Sequence, residues 1–406
     1  MFSARLPWDR PENALARRER ERRAAGLPIV DLTESNPTRV GIPYPTEALR
    51  EALGAGATHG YEPAPFGLSS AREAVARGYR AVATPVDAEQ VLITASSSES
   101  YALLFKLLCD PGDAILVPEP SYPLFDYLAR LEGVRSFGYR LTYDGEWHVD
   151  LDSLAAALAL AATNGGRARA LVVVNPNNPT GSFVAASDLA RLGEIAAGAE
   201  LAVISDEVFA DYRFATRAPA ATCLAAAPAI TARALTFSLG GLSKACGLPH
   251  LKLGWMVVAG PPAATRAALA RLELISDTYL SVAGPVQRAL PRLLDLGAGV
   301  RAAILDRVTQ NRTRLLAALG PTCPVTCLNA EGGWTAILRV PDLAGDGASD
   351  ERWALALLAD DGVLVHPGYL FDMPAGAYLM VSLLPAPNAF DRGIAAIVAR
   401  CGDSVP

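Results

Sequence analysis

Six short apolar runs limit what this chain can fold into: VLITA (91–95), AILVPEP (114–120), ALVVVNP (170–176), LAVISDEVF (201–209), ALTFSLG (234–240) and LGWMVVAG (253–260). None shows the every-second-residue polarity of a strand with one wet face. Runs apolar on both sides of the pleat belong to strands covered on both faces, as in parallel sheets. Helical patterns lie among them, among them AREAVARGYRAVA (71–83) and SYALLFKLL (100–108). Strand–helix alternation over this length predicts an α/β chain, with a mostly parallel sheet flanked by helices.

The pattern changes after a long helical stretch (262–318). TAILRV (335–340), GVLVHPG (362–368) and YLMVSLL (378–384) read as strands around a helix, RWALALLADD (352–361), which predicts a smaller α+β domain. The expected division is a large domain over 50–290 and a small domain from 1–49 plus 291–406. Residues 10–25 read as a charged helix ended by Gly26, Leu27 and Pro28, and ESNPTRVGIPYP (34–45) as a loop. AGDGASD (344–350) is expected to be a surface loop.

Composition narrows the function classes. With 51% hydrophobic and 19% charged residues in 406, the chain can bury a large core. A formal charge of −6 argues against nucleic acid or an anionic membrane as partner. No run approaches the length of a membrane span, and the charged first residues carry no apolar leader segment, so a cytoplasmic protein is expected. Cys109, Cys223, Cys246, Cys323, Cys327 and Cys401 form no CxxC pair, and only four histidines are present. Free thiols and no metal site follow.

Ligands of open α/β sheets sit beyond the carboxyl ends of the strands, and four segments lie there. In TASSSESYALL (94–104) a strand runs through three serines into a helix, which offers an anion site at free N–H groups or an ordinary serine cap. In NPNNPTG (175–181), Asn178 can donate to a ligand oxygen. In ISDEVF (204–209), Asp206 ends a buried strand and needs a partner: an arginine, a backbone N–H, or a protonated ring nitrogen. In SLGGLSKACGLPHLKLGW (238–255), Lys244 stands among apolar and glycine residues. Desolvation lowers a lysine pKa and makes the amine a nucleophile that forms imines.

In order and spacing these segments, with HPG at 366–368, resemble the class I/II aminotransferases, the fold-type I pyridoxal-phosphate enzymes, from LTESNPT to LMVSLLP. The resemblance implies bound pyridoxal 5′-phosphate, an amino donor and an oxo acceptor as partners, and a homodimer with shared sites. Lys244 would form the Schiff base and move protons, and Asp206 would pair with the pyridine nitrogen. Asn178 would hold the ring's phenolic oxygen and Tyr122 would stack on the ring. Ser97 and Ser98 would bind phosphate, helped by Ser238, Ser243 and Lys252. Tyr61 would reach the phosphate of the neighbouring subunit. Ser35, Asn36, Trp334 and Tyr369 would line the substrate side.

Three positions depart from the family pattern. Lys252 stands for the phosphate-binding arginine, a point charge in place of a fork. Phe209 stands for a tyrosine that would bond the phenolic oxygen. Met380 stands for the arginine that clamps the substrate carboxylate. Three explanations of Met380 stand open: a substrate without a free α-carboxylate, another cation such as Arg39, or a register offset, although 367–391 holds no Arg or Lys. A lyase, decarboxylase or oxidase using the same cofactor is the enzymatic alternative. A cofactor-sensing DNA-binding regulator is the other, and the acidic charge speaks against it.

Overall fold

The computed structural model describes residues 2–8, 11–57, 60–214, 221–342 and 349–403. Its strands are Val30–Asp31 (β1), Val91–Thr94 (β2), Ala114–Glu119 (β3), Arg135–Tyr143 (β4), Trp147–Val149 (β5), Ala168–Val174 (β6) and Ala202–Asp206 (β7). Thr236–Gly241 (β8), Gly254–Ala259 (β9), Thr326–Cys327 (β10), Thr335–Arg339 (β11), Val363–Leu364 (β12), His366–Pro367 (β13) and Tyr378–Ser382 (β14) follow. The large sheet has the order β2-β9-β8-β7-β6-β3-β4-β5. Its centre is parallel from β4 through β3, β6 and β7 to β8, and β9 runs antiparallel to both its neighbours. All six apolar runs are strands of this sheet, and each face is covered by its own apolar cluster. Ile115, Val172 and Ile204 face one cluster, and Leu116, Val173 and Val203 the other. That double coverage is why the runs do not alternate.

The smaller sheet has the order β10-β11-β14-β13, all antiparallel. Beside it β1 pairs with β12, so the N-terminal segment joins the C-terminal part of the chain. The charged helix forms over Ala14–Ala24, with Asn13 accepting from the Ala16 N–H at 2.7 Å.

Three points refine, add to or correct the sequence expectations. The stretch 262–318 is two helices, Pro262–Tyr279 and Gly284–Ala318. Leu280 takes a left-handed conformation (φ 45°) that ends the first, and Pro285 at the start of the second has the fixed φ that suits a first turn. The β4–β5 hairpin was not anticipated, because RSFGYRLTYDGEWHV lacks the apolar density of the central strands. The third concerns AGDGASD: residues 343–348 lie outside the described residues, but Ser349 and Asp350 are buried at a helix start rather than on a surface loop. The Asp350 carboxylate accepts from the Tyr369 N–H at 2.8 Å.

The Gly284–Ala318 helix presses against the chain just behind Lys244. A Cβ on Gly297 would stand 2.4 Å from the Cys246 sulfur and 3.2 Å from its Cα, whereas one on Gly299 meets nothing within 4 Å. Gly297→Ala is therefore expected to lose about 1–3 kcal/mol through overpacking, and Gly299→Ala to gain up to about 1 kcal/mol from helix propensity. Urea unfolding of both variants checks the pair.

Candidate active site

The carboxyl ends of β3, β6, β7 and β8 deliver residues 119–122, 175–181, 206–209 and 241–244 to one region, opposite the N-terminus of the Ser97–Leu108 helix. Lys244 lies in a single helical turn after β8. Its backbone carbonyl accepts from the Tyr212 hydroxyl at 2.5 Å, and the Gly247 carbonyl accepts from Tyr44 at 2.7 Å, so the loop is pinned at two points. The Lys244 Nζ stands 4.7 Å from the Trp334 ring centre and 5.3 Å from that of Phe209. Enclosure lowers its pKa to about 8, against the opposing pull of Asp206.

Asp206 ends β7 and is buried. Burial raises its carboxyl to about 6. Three contacts work against that rise: the Val208 N–H to Oδ1 at 3.2 Å, the Tyr101 hydroxyl to Oδ2 at 3.2 Å, and the charge of Lys244. Tyr101 is a site residue that the sequence reading missed. It sits one turn into the Ser97–Leu108 helix, where its spacing reads as ordinary core.

The asparagines of NPNNPTG divide by role. Asn175 bonds Ala221 and Val184 at 3.0 Å each, and the Asn177 Oδ1 caps Thr180. Asn178 accepts from the Thr335 hydroxyl at 3.3 Å, which leaves its amide nitrogen as a donor toward the site. Gly181 closes the turn where a Cβ would lie 2.3 Å from the Gly332 carbonyl, and its own carbonyl accepts from the Glu331 and Gly332 N–H groups. The turn is thus stitched to the segment that carries Trp334 and Thr335.

An anion cradle lies at the helix N-terminus. Ser96 caps it by accepting from Glu99 at 3.2 Å, and Glu99 reaches back to the Ala95 N–H at 2.5 Å. Among the described residues the Ser97 and Ser98 N–H groups have no backbone acceptor. Gly254 in β9 lets its backbone pass close by: a Cβ there would stand 3.2 Å from the Ser96 Cα and 3.1 Å from the Gly240 carbonyl. The exposed Lys252, in a left-handed conformation (φ 49°), leads into that strand. Open N–H groups, a nearby cation and missing Cβ atoms fit a phosphate, and an enclosed amine beside a buried carboxylate fits an aldehyde-bearing pyridine.

Other sequence-chosen residues fall as follows. Tyr122 is half exposed, and its neighbour Ser121 donates its N–H to the Phe371 carbonyl at 3.0 Å. Ser243 is partly buried beside Lys244. Ser35 is exposed; Asn36 caps a short turn at Pro37–Arg39. Their loop is pinned by Ser382, whose hydroxyl donates to the Glu34 carbonyl at 2.7 Å. Tyr369 and Tyr61 are exposed, and Tyr61 lines a cavity of about 210 Å³ with Glu99, Tyr279 and Arg288. No contact brings either to Lys244 among the described residues. Met380 is buried against Trp147, Ile337 and Phe371.

Ser238 is a correction. It is fully buried, with its hydroxyl donating to the Glu207 Oε1 at 2.7 Å and accepting from the Ala225 N–H at 2.9 Å, so it braces the sheet instead of meeting phosphate. Glu207, the first residue after β7, bonds a different set of partners from Asp206. Its Oε1 also accepts from Leu224 at 2.7 Å, and burial raises the carboxyl to about 8.

The sequence profile described as "Aminotransferase class I and II" matches residues 28–388. The chain is 28% identical over 385 residues to an alanine aminotransferase of Mycobacterium tuberculosis, covering 94% of this chain and 86% of that protein. It is 27% identical over 369 residues to the glutamate-pyruvate aminotransferase AlaA of Escherichia coli, covering 89% and 87%. Among solved structures, the alanine aminotransferase from Pyrococcus furiosus superposes with a TM-score of 0.85 at 23% identity, over 99% of this chain and 100% of that one.

The two raised carboxyls set a pH dependence. The folded state keeps the Glu207 proton up to about pH 8, and an unfolded chain sheds it near 4.5. The folded state therefore binds more protons across that window, and stability falls as pH rises through it. Asp206 adds the same sign between 3.8 and about 6. The urea midpoint of the cofactor-free protein should fall from about pH 5 to about pH 8, and Glu207→Gln should flatten the upper half of that slope.

Proposed function

The chain belongs to the class I and II aminotransferases, which move an amino group from a donor to an oxo acceptor with pyridoxal 5′-phosphate, and from that membership we propose which of its residues do the work. The observation that carries the reading is the Lys244 amine, enclosed by Trp334 and Phe209 beside the buried Asp206.

When bound, the cofactor would supply an aldehyde carbon able to form imines with amines and a ring that can draw electrons from a donor's α-carbon. Lys244 is the attachment point and the proton carrier. A pKa near 8 lets its amine take a proton from carbon and return it at neutral pH. Asp206, ionised above about pH 6, holds a proton on the ring nitrogen, and Tyr101 keeps that carboxylate charged and aimed. The free N–H₂ of Asn178 donates to the ring oxygen. Phe209 offers no hydroxyl there, so Asn178 is the donor for that oxygen. Ser97 and Ser98 at the helix N-terminus, with Ser243 and Lys252, hold the phosphate. Tyr122 packs on the ring. Trp334 keeps water from the lysine, and the Ser35–Asn36 loop covers the substrate side.

The eight-stranded sheet on one side, and the four-stranded sheet with the β1–β12 pair on the other, support the division into a large domain (50–290) and a small one (1–49 and 291–406). The exposed Tyr61 and Tyr279, beside the 210 Å³ cavity, support a homodimer in which Tyr61 serves the partner's phosphate. We place the enzyme in the cytoplasm; among the described residues no helix is long and apolar enough to cross a membrane.

The names of the relatives make L-alanine and L-glutamate the first donors to try. Added to the holoenzyme, an accepted donor should convert the cofactor to pyridoxamine 5′-phosphate. Ammonia or carbon dioxide released without that product counts against transamination. Lys244→Ala should lower the half-reaction rate by roughly 10²–10⁴-fold and abolish borohydride trapping at 244. Lys252→Met should weaken cofactor binding about tenfold or more, as loss of one charge-assisted hydrogen bond does, and Lys252→Arg should restore it.

A further inference from the structure

The face of the small sheet that meets the site can be read from its register. Thr335 bonds Asn178, so the side of β11 that carries Thr335 looks toward the cofactor loop. Residues paired across antiparallel strands share a face. Thr335 pairs with Ser382, Ile337 with Met380, and Met380 with His366. The site face therefore runs Thr335–Ser382, then Ile337–Met380–His366, then Arg339–Tyr378 at the far end of β11.

This face is mostly apolar near the site. Met380, Ile337, Phe371 and Trp147 form one buried cluster. Arg339 is exposed one pleat period beyond Ile337, roughly 7 Å further out. The polar residue paired directly with Met380 is His366. Its ring stands 5.8 Å from that of Phe371, whose carbonyl holds the Ser121 N–H next to Tyr122. On its other side lies the N-terminal segment, with Asp31 and Glu19 as the charges that act on it; Arg23 is ion-paired with both. Two residues past Asp31, Thr33 begins the loop that Ser382 pins through Leu32 and Glu34. His366 is thus bracketed by the two segments that bear Tyr122 and Ser35–Asn36.

On the aminotransferase reading, we propose that His366 is a specificity-determining residue of the donor site: its imidazole N–H donates to the carboxylate of the amino donor. A buried guanidinium stays charged whether or not an anion is present, and Met380 supplies no charge at all. An imidazole is a neutral donor that can take a proton when an anion arrives. Burial beside Phe371 and the apolar cluster holds its pKa below the ordinary value, with Asp31 and Glu19 pulling the other way. In the empty site the ring therefore tends to the neutral form, and a bound carboxylate shifts it toward the charged one.

The test uses holoenzyme in single half-reactions with a panel of proteinogenic L-amino acids and, for the best of them, its primary amide. His366→Phe should raise the half-saturating concentration of the amino acid by roughly ten- to a hundredfold, the range for one hydrogen bond to a charged group. The limiting rate should change little, and the amide should be affected far less. His366→Gln, which keeps an N–H donor, should recover most of the loss. In the wild type the amino acid should bind more tightly as pH falls through the imidazole range, and that trend should be missing in His366→Gln, which also serves if His366→Phe does not fold. The proposal is overturned if His366→Phe leaves amino-acid binding unchanged, if acid and amide lose equally, if the amide is the better wild-type donor, or if Arg39→Met or Arg339→Met causes the loss instead. A wild type that converts no donor to the pyridoxamine form refutes the aminotransferase reading itself, a different result from unchanged binding in the variant.

Discussion

Two groups of opposite charge, Lys244 and Asp206, are withdrawn from water at the end of one sheet, and the surrounding structure keeps both there. Burial penalises each charge, lifting the carboxyl to about 6 and dropping the amine to about 8. Left alone, such a pair would favour neutral forms or an open, hydrated site. Hydrogen bonds decide the matter for the aspartate, since Tyr101 and the Val208 N–H both prefer it ionised. Aromatic faces decide it for the lysine, which gains partial charge stabilisation from Trp334 and Phe209 without a fixed acceptor for its proton among the described residues. An amine held this way keeps some charge stabilisation and remains free to react.

The neighbouring carboxylate, Glu207, shows how the surrounding structure supports this. Glu207, the first residue beyond the end of β7, is buried against Ser238 and Leu224 while Asp206 reaches Tyr101. That burial is tolerated because Ser238 and the Leu224 N–H bind one oxygen and the carboxyl keeps its proton to about pH 8. Ser238, which looks from its place in the chain like a phosphate ligand, is consumed by this task.

Most of the fold was legible because parallel strands buried on both faces leave an unmistakable apolar run. The site was legible where a polar residue interrupts such a run with no local reason: Asp206 at the end of LAVIS, Lys244 in a stretch poor in charge, Asn178 in a turn denser than a connection needs. What stayed hidden depends on long-range packing. Tyr101 looks like any helix core residue until Asp206 arrives from 105 positions away. The β4–β5 hairpin carries polar groups that find partners distant in the chain: the Tyr143 hydroxyl accepts from the Asn329 N–H, and the Gly145 carbonyl from the Asn329 side chain. In NPNNPTG the sequence singles out Asn178, and the structure adds what the other two do: Asn175 and Asn177 hold the turn together.

The small sheet raises a different question, because its contribution to the site is made by register. One residue of slip in β14 would carry Met380 to the opposite face and place Leu379 or Val381 against the cofactor loop. Those two are buried in the cluster that also holds Leu32, Trp334 and Phe209, and Ser382 anchors the N-terminal segment by both its N–H and its hydroxyl. The register that buries Leu379 and Val381 is therefore the one that turns Met380 and His366 toward the donor. Apolar burial on the far face selects which side chains the substrate meets. An unpaired arginine at 380 would have to be desolvated among Trp147, Ile337 and Phe371, a cost that a methionine avoids and a titratable ring at the rim can decline until an anion is present.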